Sequence, residues 1–141
     1  MKTITRLIIP LVLLALGLQA VESKPAKPIH PLAFKSVICW LSDSVEPVVT
    51  GFSIDAIEKN GNQFDYSQVT TDGNKVKYTP KNSKEMMGYT IESKGNLKVI
   101  KFWYSSGGTL VSQYTILGEI KKKTIGKKTI RVFDVVDFKD D

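Results

Sequence analysis

Lysines and aromatic residues are the side chains of this sequence best suited to form a functional site. Five lysines fall within the eight positions 121–128 and would concentrate positive potential at one end of a hairpin. They could hold phosphate groups, an acidic protein or anionic lipid heads, or they could be a solvated edge that blocks aggregation. The aromatic residues at 102–104, with Tyr78, Tyr89 and Tyr114, could add stacking surface for bases, although core packing explains the set better and strand alternation lets only part of it face a ligand. The predicted site for RNA or another partner comprises Lys121, Lys122, Lys123, Lys127, Lys128, Trp103 and Tyr78.

Histidine and cysteine are almost absent from the sequence. The only imidazole belongs to His30 and the only thiol to Cys39, which excludes Cys/His metal sets and His-dependent nucleophilic triads. We interpret His30 as a solvated linker residue. Cys39 is expected to be a buried core thiol, with pairing between chains as the alternative. No metal and no cofactor are predicted.

Carboxylates occur in two closely spaced pairs, Asp55 with Glu58 and Asp134 with Asp137. A hydrolase could use such a pair for proton transfer, but a solvated helix face and strand-end solvation explain the pairs better. We therefore predict no catalytic residue and no enzymatic activity.

Composition limits the class of protein. The chain has 141 residues, 42% of them hydrophobic, with 20 Lys+Arg against 14 Asp+Glu and a net charge of +6. Disordered, collagenous and disulfide-dense chains have different compositions. The sequence is typical of one globular domain, which we expect to be a monomer.

The first 23 residues are typical of a secretory signal peptide. A basic start precedes an apolar run over 7–18, and Ala20 or Ser23 offers a small residue for cleavage. A membrane span would need a longer run. The prediction is a secreted, extracellular protein without a stable membrane anchor, and its uptake into cells is left open.

Two further regions follow the predicted signal peptide. Residues 24–34 contain three prolines and are predicted to be an extended arm. Residues 35–141 form the single predicted domain.

Alternating apolar residues and repeated turn signals predict a domain that is mostly β. Glycine-containing turns are expected at 71–74, 93–96, 105–108 and 125–128. The predicted strands cover 36–41, 64–69, 75–79, 87–92, 97–104, 109–117, 118–124 and 129–138.

Within the longest strands, three apolar sets are expected to face one core, and Trp103 to face the opposite side. The sets are Ile100, Phe102 and Tyr104; Leu110, Tyr114 and Ile116; and Ile130, Val132, Val136 and Phe138.

The segment 53–60 differs from the strands around it. Ser53 can cap a helix, Asp55 suits its first turn, Ile54 and Ile57 share a face, and Gly61 can end it. A hairpin turning at 60–61 is the alternative. The helix predicts an α+β fold, with one short helix packed on an antiparallel sheet, whereas the hairpin would leave an all-β sandwich or barrel.

The order of short motifs resembles that of the small extracellular fungal ribonucleases and of the ribonuclease-like secreted effectors of powdery mildews. The motifs lie at 52–55, 78–81, 88–91, 102–107, 113–116 and 117–120. The resemblance implies a helix packed on an antiparallel sheet.

The resemblance also implies that the catalytic groups of the enzymes have been lost. The family's general base, arginine and two histidines would fall at Met87, at Gln113, at Pro80 or Lys81, and at Lys122. None of these residue types can replace the group it would stand for in RNA cleavage. The paired cysteines typical of the effectors are missing too. The first hypothesis is a secreted, non-catalytic ribonuclease-like effector that binds host RNA or a host protein; a secreted all-β ligand carrier or adhesion domain is the alternative.

Overall fold

The computed structural model describes residues 26–42 and 50–141, and in them one antiparallel sheet predominates. Its strand order is β1-β7-β6-β5-β4-β3-β2, so strands β2 to β7 follow one another as hairpins and β1 is added beside β7. The elements are α1 Pro31–Ser42, β1 Gly51–Ser53, α2 Ile54–Lys59, a 3-10 turn Tyr66–Gln68, β2 Val69–Asp72, β3 Lys75–Tyr78, β4 Met86–Lys94, β5 Leu97–Ser105, β6 Ser112–Ile125 and β7 Lys128–Asp140. The prediction of a mostly β chain is confirmed. The predicted signal peptide and residues 24–25 of the predicted arm lie outside the described residues.

All four predicted turns join consecutive strands. Each contains a glycine with positive φ, a conformation that costs glycine little because it has no Cβ: Gly73 at 57°, Gly95 at 60°, Gly107 at 98° and Gly126 at 61°. Strands β3, β4, β5 and β7 lie where they were predicted. The two strands predicted over 109–117 and 118–124 are one continuous strand, β6.

Two predicted strands are wrong. Residues 64–69 hold the 3-10 turn and only the start of β2. Residues 36–41 belong to helix α1, which begins at Pro31, a favourable first helical residue because its missing N–H would have no partner there. The buried residues Ala33, Phe34, Val37 and Ile38 recur with helical spacing, which places them on one face of α1.

His30 joins this helix to the sheet, and the prediction that it is solvated is wrong. Its ring is fully buried, with edge contacts to Phe64, Tyr66 and Tyr78. Its Nδ1 accepts the N–H of Leu32 at 3.2 Å and so caps the first turn of α1. Burial lowers the pKa of His30 because it disfavours the imidazolium.

This burial makes the stability of the fold depend on pH. Unfolded His30 has an ordinary pKa of 6.5, above that of the folded protein, so its contribution is complete above pH 6.5 and is lost as the pH falls toward the lower folded value. We expect the free energy of unfolding to fall between pH 7.5 and 5 by up to about 1.4 kcal/mol per pH unit. Urea unfolding of the protein and of His30→Asn, which keeps a capping oxygen, measures this. Equal pH slopes in the two proteins would contradict it.

Helix α2 confirms the predicted helix over the alternative hairpin. The Ser53 hydroxyl accepts the N–H of Ala56 at 3.2 Å, and Ile54 and Ile57 are buried. The helix ends at Lys59 and its C-cap is Asn60, one residue before the glycine expected to end it.

The core lies between α1 and one face of the sheet. The first predicted set faces this core. In the second set, Leu110 does not, because it is 79% exposed in the β5–β6 loop. The third set, in β7, is right only for Phe138, which packs against the core, because a bulge opposite Leu117 and Gly118 shifts the pairing of the earlier residues by one position. Phe133 is buried in the core, Val135 packs against it, and Val136 is 59% exposed.

Candidate functional site

The end of the β6–β7 hairpin projects beyond its neighbours and carries the predicted lysines. Strand β5 pairs with β6 only as far as Glu119, and β1 pairs with β7 only over 132–134. We call residues 120–130 the lysine arm. Every residue from 121 to 129 is exposed.

The lysines of the arm are not electrostatically equivalent. Lys121 Nζ lies 3.0 Å from Glu119 and 3.5 Å from Asp134, and Lys123 Nζ lies 3.3 Å from Asp134. The bond to Glu119, with the nearby Asp134, raises the pKa of Lys121. The other three lysines have no carboxylate within 4.0 Å among the described residues: Lys122, Lys127 and Lys128. Positive charge therefore concentrates at the turn of the arm.

The two aromatic residues of the predicted site lie on opposite faces of the sheet. Tyr78 is 7% exposed and its ring centroid lies 4.4 Å from that of His30, on the core side of the sheet. Trp103 lies on the opposite face, as strand alternation predicted, in register with Gly88 and Gln113. The seven predicted residues therefore do not form one site.

Trp103 borders a groove that was not predicted from the sequence. We call this groove, about 420 Å³ in volume, the Trp103 groove; its lining includes Thr70, Asp72, Lys75, Lys77, Thr90 and Trp103. Lys75 and Lys77 alternate with the buried Val76 and Tyr78 along β3. That alternation was the available signal, since it places both lysines on the outer face.

The carboxylates singled out in the sequence form structural contacts. Asp55 accepts both the backbone N–H of Arg131 at 2.7 Å and its Nε at 2.8 Å, and Glu58 accepts Nη2 at 2.8 Å. The hydrogen bond from the Arg131 backbone N–H lowers the pKa of Asp55 most, and the Arg131 guanidinium lowers it further. These hydrogen bonds and ion pairs connect α2 to β7. Asp134 pairs with lysines of the arm, and Asp137 accepts the N–H of Phe138 at 2.9 Å.

The positions that the ribonuclease resemblance assigns to catalysis do not converge. Met87 is fully buried on the core face, whereas Gln113 is exposed on the outer face and Lys122 lies on the arm. Lys81 is exposed in the β3–β4 loop and pairs with Asp65 at 3.8 Å.

The described residues hold neither a metal-binding cluster nor a helix that could span a membrane. No group of three or more His, Cys, Asp or Glu there could hold a metal ion. No helix in that part of the chain has the length and apolar character needed to cross a membrane. The Cys39 side chain lies outside what is described.

Comparison with protein-family models, with curated proteins and with solved structures gave no match. The site is therefore interpreted from its own geometry and charge.

Proposed function

We infer that this chain is a secreted, non-catalytic protein that binds single-stranded RNA, a ribonuclease-like effector of α+β fold whose natural ligand is host RNA. One observation carries the proposal: the exposed arm holds three lysines that no carboxylate of the described residues neutralises. Closely spaced, unpaired ammonium groups attract a phosphate backbone and release its counterions. Two helices that contact the sheet support the α+β assignment.

RNA is favoured over a protein partner because the charge at the turn is of one sign. Gly126 makes the turn, and lysines follow it at 127 and 128 with no acidic side chain between 120 and 130. A protein interface usually has charged side chains depleted at its centre. A row of lysines suits a chain of repeating phosphates, because binding such a chain depends on charge more than on a complementary surface shape.

Replacing the two lysines that follow the turn with neutral glutamines tests this proposal. We expect K127Q/K128Q to weaken binding of a fluorescent 12-nucleotide single-stranded RNA on the order of tenfold at low salt. The slope of log affinity against log salt should become shallower by about 1.4, the value for two lost phosphate contacts on a single strand. Fluorescence anisotropy of the purified protein at several salt concentrations measures both.

The matched control is K81Q/K84Q, which removes the same charge from the exposed β3–β4 loop at the opposite end of the sheet. This variant should keep most of the affinity. Equal losses in the two variants would mean that net charge alone matters. Absence of RNA binding, with salt-insensitive binding of a protein instead, would overturn the proposal.

A further inference from the structure

We propose that the Trp103 groove binds one unpaired nucleotide, with its base on the indole and its phosphate on the lysines of β3. The inference deepens the proposed function and rests on it: the arm would attract the RNA strand, and the groove would hold a single base of it.

The indole of Trp103 takes its position from the glycine beside it. A Cβ built on Gly88 would lie 2.9 Å from Trp103 Cζ2 and 3.0 Å from Cε2, and 2.6 Å from the carbonyl oxygen of Val76. Only a residue without a side chain lets the ring lie so close to the strand. Trp103 remains partly exposed and borders the groove. A partly exposed aromatic ring on a sheet provides a surface on which a base can stack.

The groove has room for a base and for the groups attached to it. Its volume of about 420 Å³ falls within the range of small-ligand sites. Its walls come from four neighbouring strands, β2 to β5, which are held in register by the sheet ladder. The groove therefore lies on a scaffold that is fixed before the ligand arrives.

Lysines supply the charge that a phosphate needs. Lys77 faces Gly88 in register and Gly88 faces Trp103, so Lys77 stands two strands, about 10 Å, from the tryptophan. Lys75 borders the same groove, and Lys101 is two residues from Trp103 on the same strand face. None of these lysines has a carboxylate within 4.0 Å among the described residues.

Charge distinguishes a nucleotide from the other common ligand of exposed tryptophans, a neutral sugar. Asp72 is the one carboxylate among the residues that line the groove, against the two lysines of β3. A neutral sugar could accept hydrogen bonds from unpaired ammonium groups but would gain no charge pairing, whereas a phosphate is complementary to them in charge. The pairing of a ring with cationic groups therefore favours a nucleotide.

Nuclear magnetic resonance of the tryptophan indole N–H signals tests the site directly. The chain has two tryptophans, so Trp103→Phe identifies the Trp103 signal by its loss. We expect adenosine 5′-monophosphate to shift this signal, and adenosine to bind about tenfold more weakly. K75Q/K77Q, two exposed lysines, should reduce nucleotide affinity to that of adenosine. Trp103→Leu, read by anisotropy with a fluorescent mononucleotide, should weaken binding about tenfold because stacking is lost.

Two controls separate this inference from the proposed function. K127Q/K128Q should leave mononucleotide binding unchanged while it weakens binding of the RNA strand. K81Q/K84Q should leave mononucleotide binding unchanged and keep most of the affinity for the strand. If the Trp103 indole signal does not shift when the nucleotide is added, nucleotide binding in the groove is refuted, whether or not the protein binds the RNA strand. Equal shifts with inorganic phosphate alone, or with a neutral oligosaccharide, overturn it too. If the protein did not bind the RNA strand at any salt concentration, while the nucleotide still shifted the Trp103 indole signal, the RNA-binding function would be refuted and the groove would stand.

Discussion

Replacing Phe34 with alanine is expected to lower the free energy of unfolding by about 3–5 kcal/mol. Phe34 is fully buried and is the central contact between α1 and the sheet. Its ring centroid lies 4.9–6.3 Å from four others, which come from β1, β4, β5 and β7: Phe52, Tyr89, Phe102 and Phe133. Truncation removes apolar surface from the core and leaves a cavity that these rings cannot fill. Since small domains are stable by about 5–15 kcal/mol, the loss would be a large part of the total.

Phe138→Ala is the matched control, because Phe138 is only partly buried and its ring stacks mainly on Tyr114, 5.7 Å away. We expect it to cost clearly less than Phe34→Ala in urea unfolding followed by circular dichroism. Equal costs would show that α1 is not held through Phe34.

Local features of the fold could be predicted because they depend on neighbouring residues. A turn that needs positive φ selects glycine, and all four predicted turns have it. The short helix α2 has its capping serine and its two buried isoleucines within a few residues of one another. Strand alternation likewise placed Trp103 opposite Phe102 and Tyr104, since side chains on a strand point to alternate faces.

Features that depend on distant residues were missed. His30 is buried by side chains more than thirty positions away, and one of them, Tyr66, also donates to the carbonyl of Pro28 at 3.1 Å. Its environment therefore cannot be read from the prolines around it. The bulge in β7 is set by its pairing with β6 and moves Phe133 and Val135 to the core side, which a strict period of two cannot anticipate.

The candidate site was predicted in part for the same reason. The lysines of the arm are neighbours in sequence, so their clustering was visible, but the carboxylate that pairs with Lys121 and Lys123 is Asp134, on the partner strand. The Trp103 groove joins β3 to β5, and nothing near Trp103 in sequence indicates Lys75 or Lys77. Sheet pairing brings them together through Gly88.

Adding one methyl group at Gly118 is the second change with a large expected effect. The new Cβ would lie 2.3 Å from Phe133 Cζ, 2.5 Å from Cε1 and 2.8 Å from the carbonyl oxygen of Asp134. The ring cannot turn aside easily, because it is fully buried and packs against Phe34 and Phe52. Alanine ordinarily suits a strand better than glycine, yet here we expect a loss of about 1–3 kcal/mol or more in urea unfolding, since overpacking forces side chains and backbone to shift.

The cause of this loss can be isolated with a double-mutant cycle. Leucine at 133 lacks the Cζ and Cε1 atoms, so Gly118→Ala should cost less in a Phe133→Leu background, with a coupling energy of about 1 kcal/mol. The residual cost would come from the Asp134 carbonyl, which leucine does not move. Gly61→Ala is the control, because a Cβ there meets nothing within 4 Å, and its effect should be small or stabilising. If Gly118→Ala behaved like Gly61→Ala, the close approach of β6 to the Phe133 ring would be refuted.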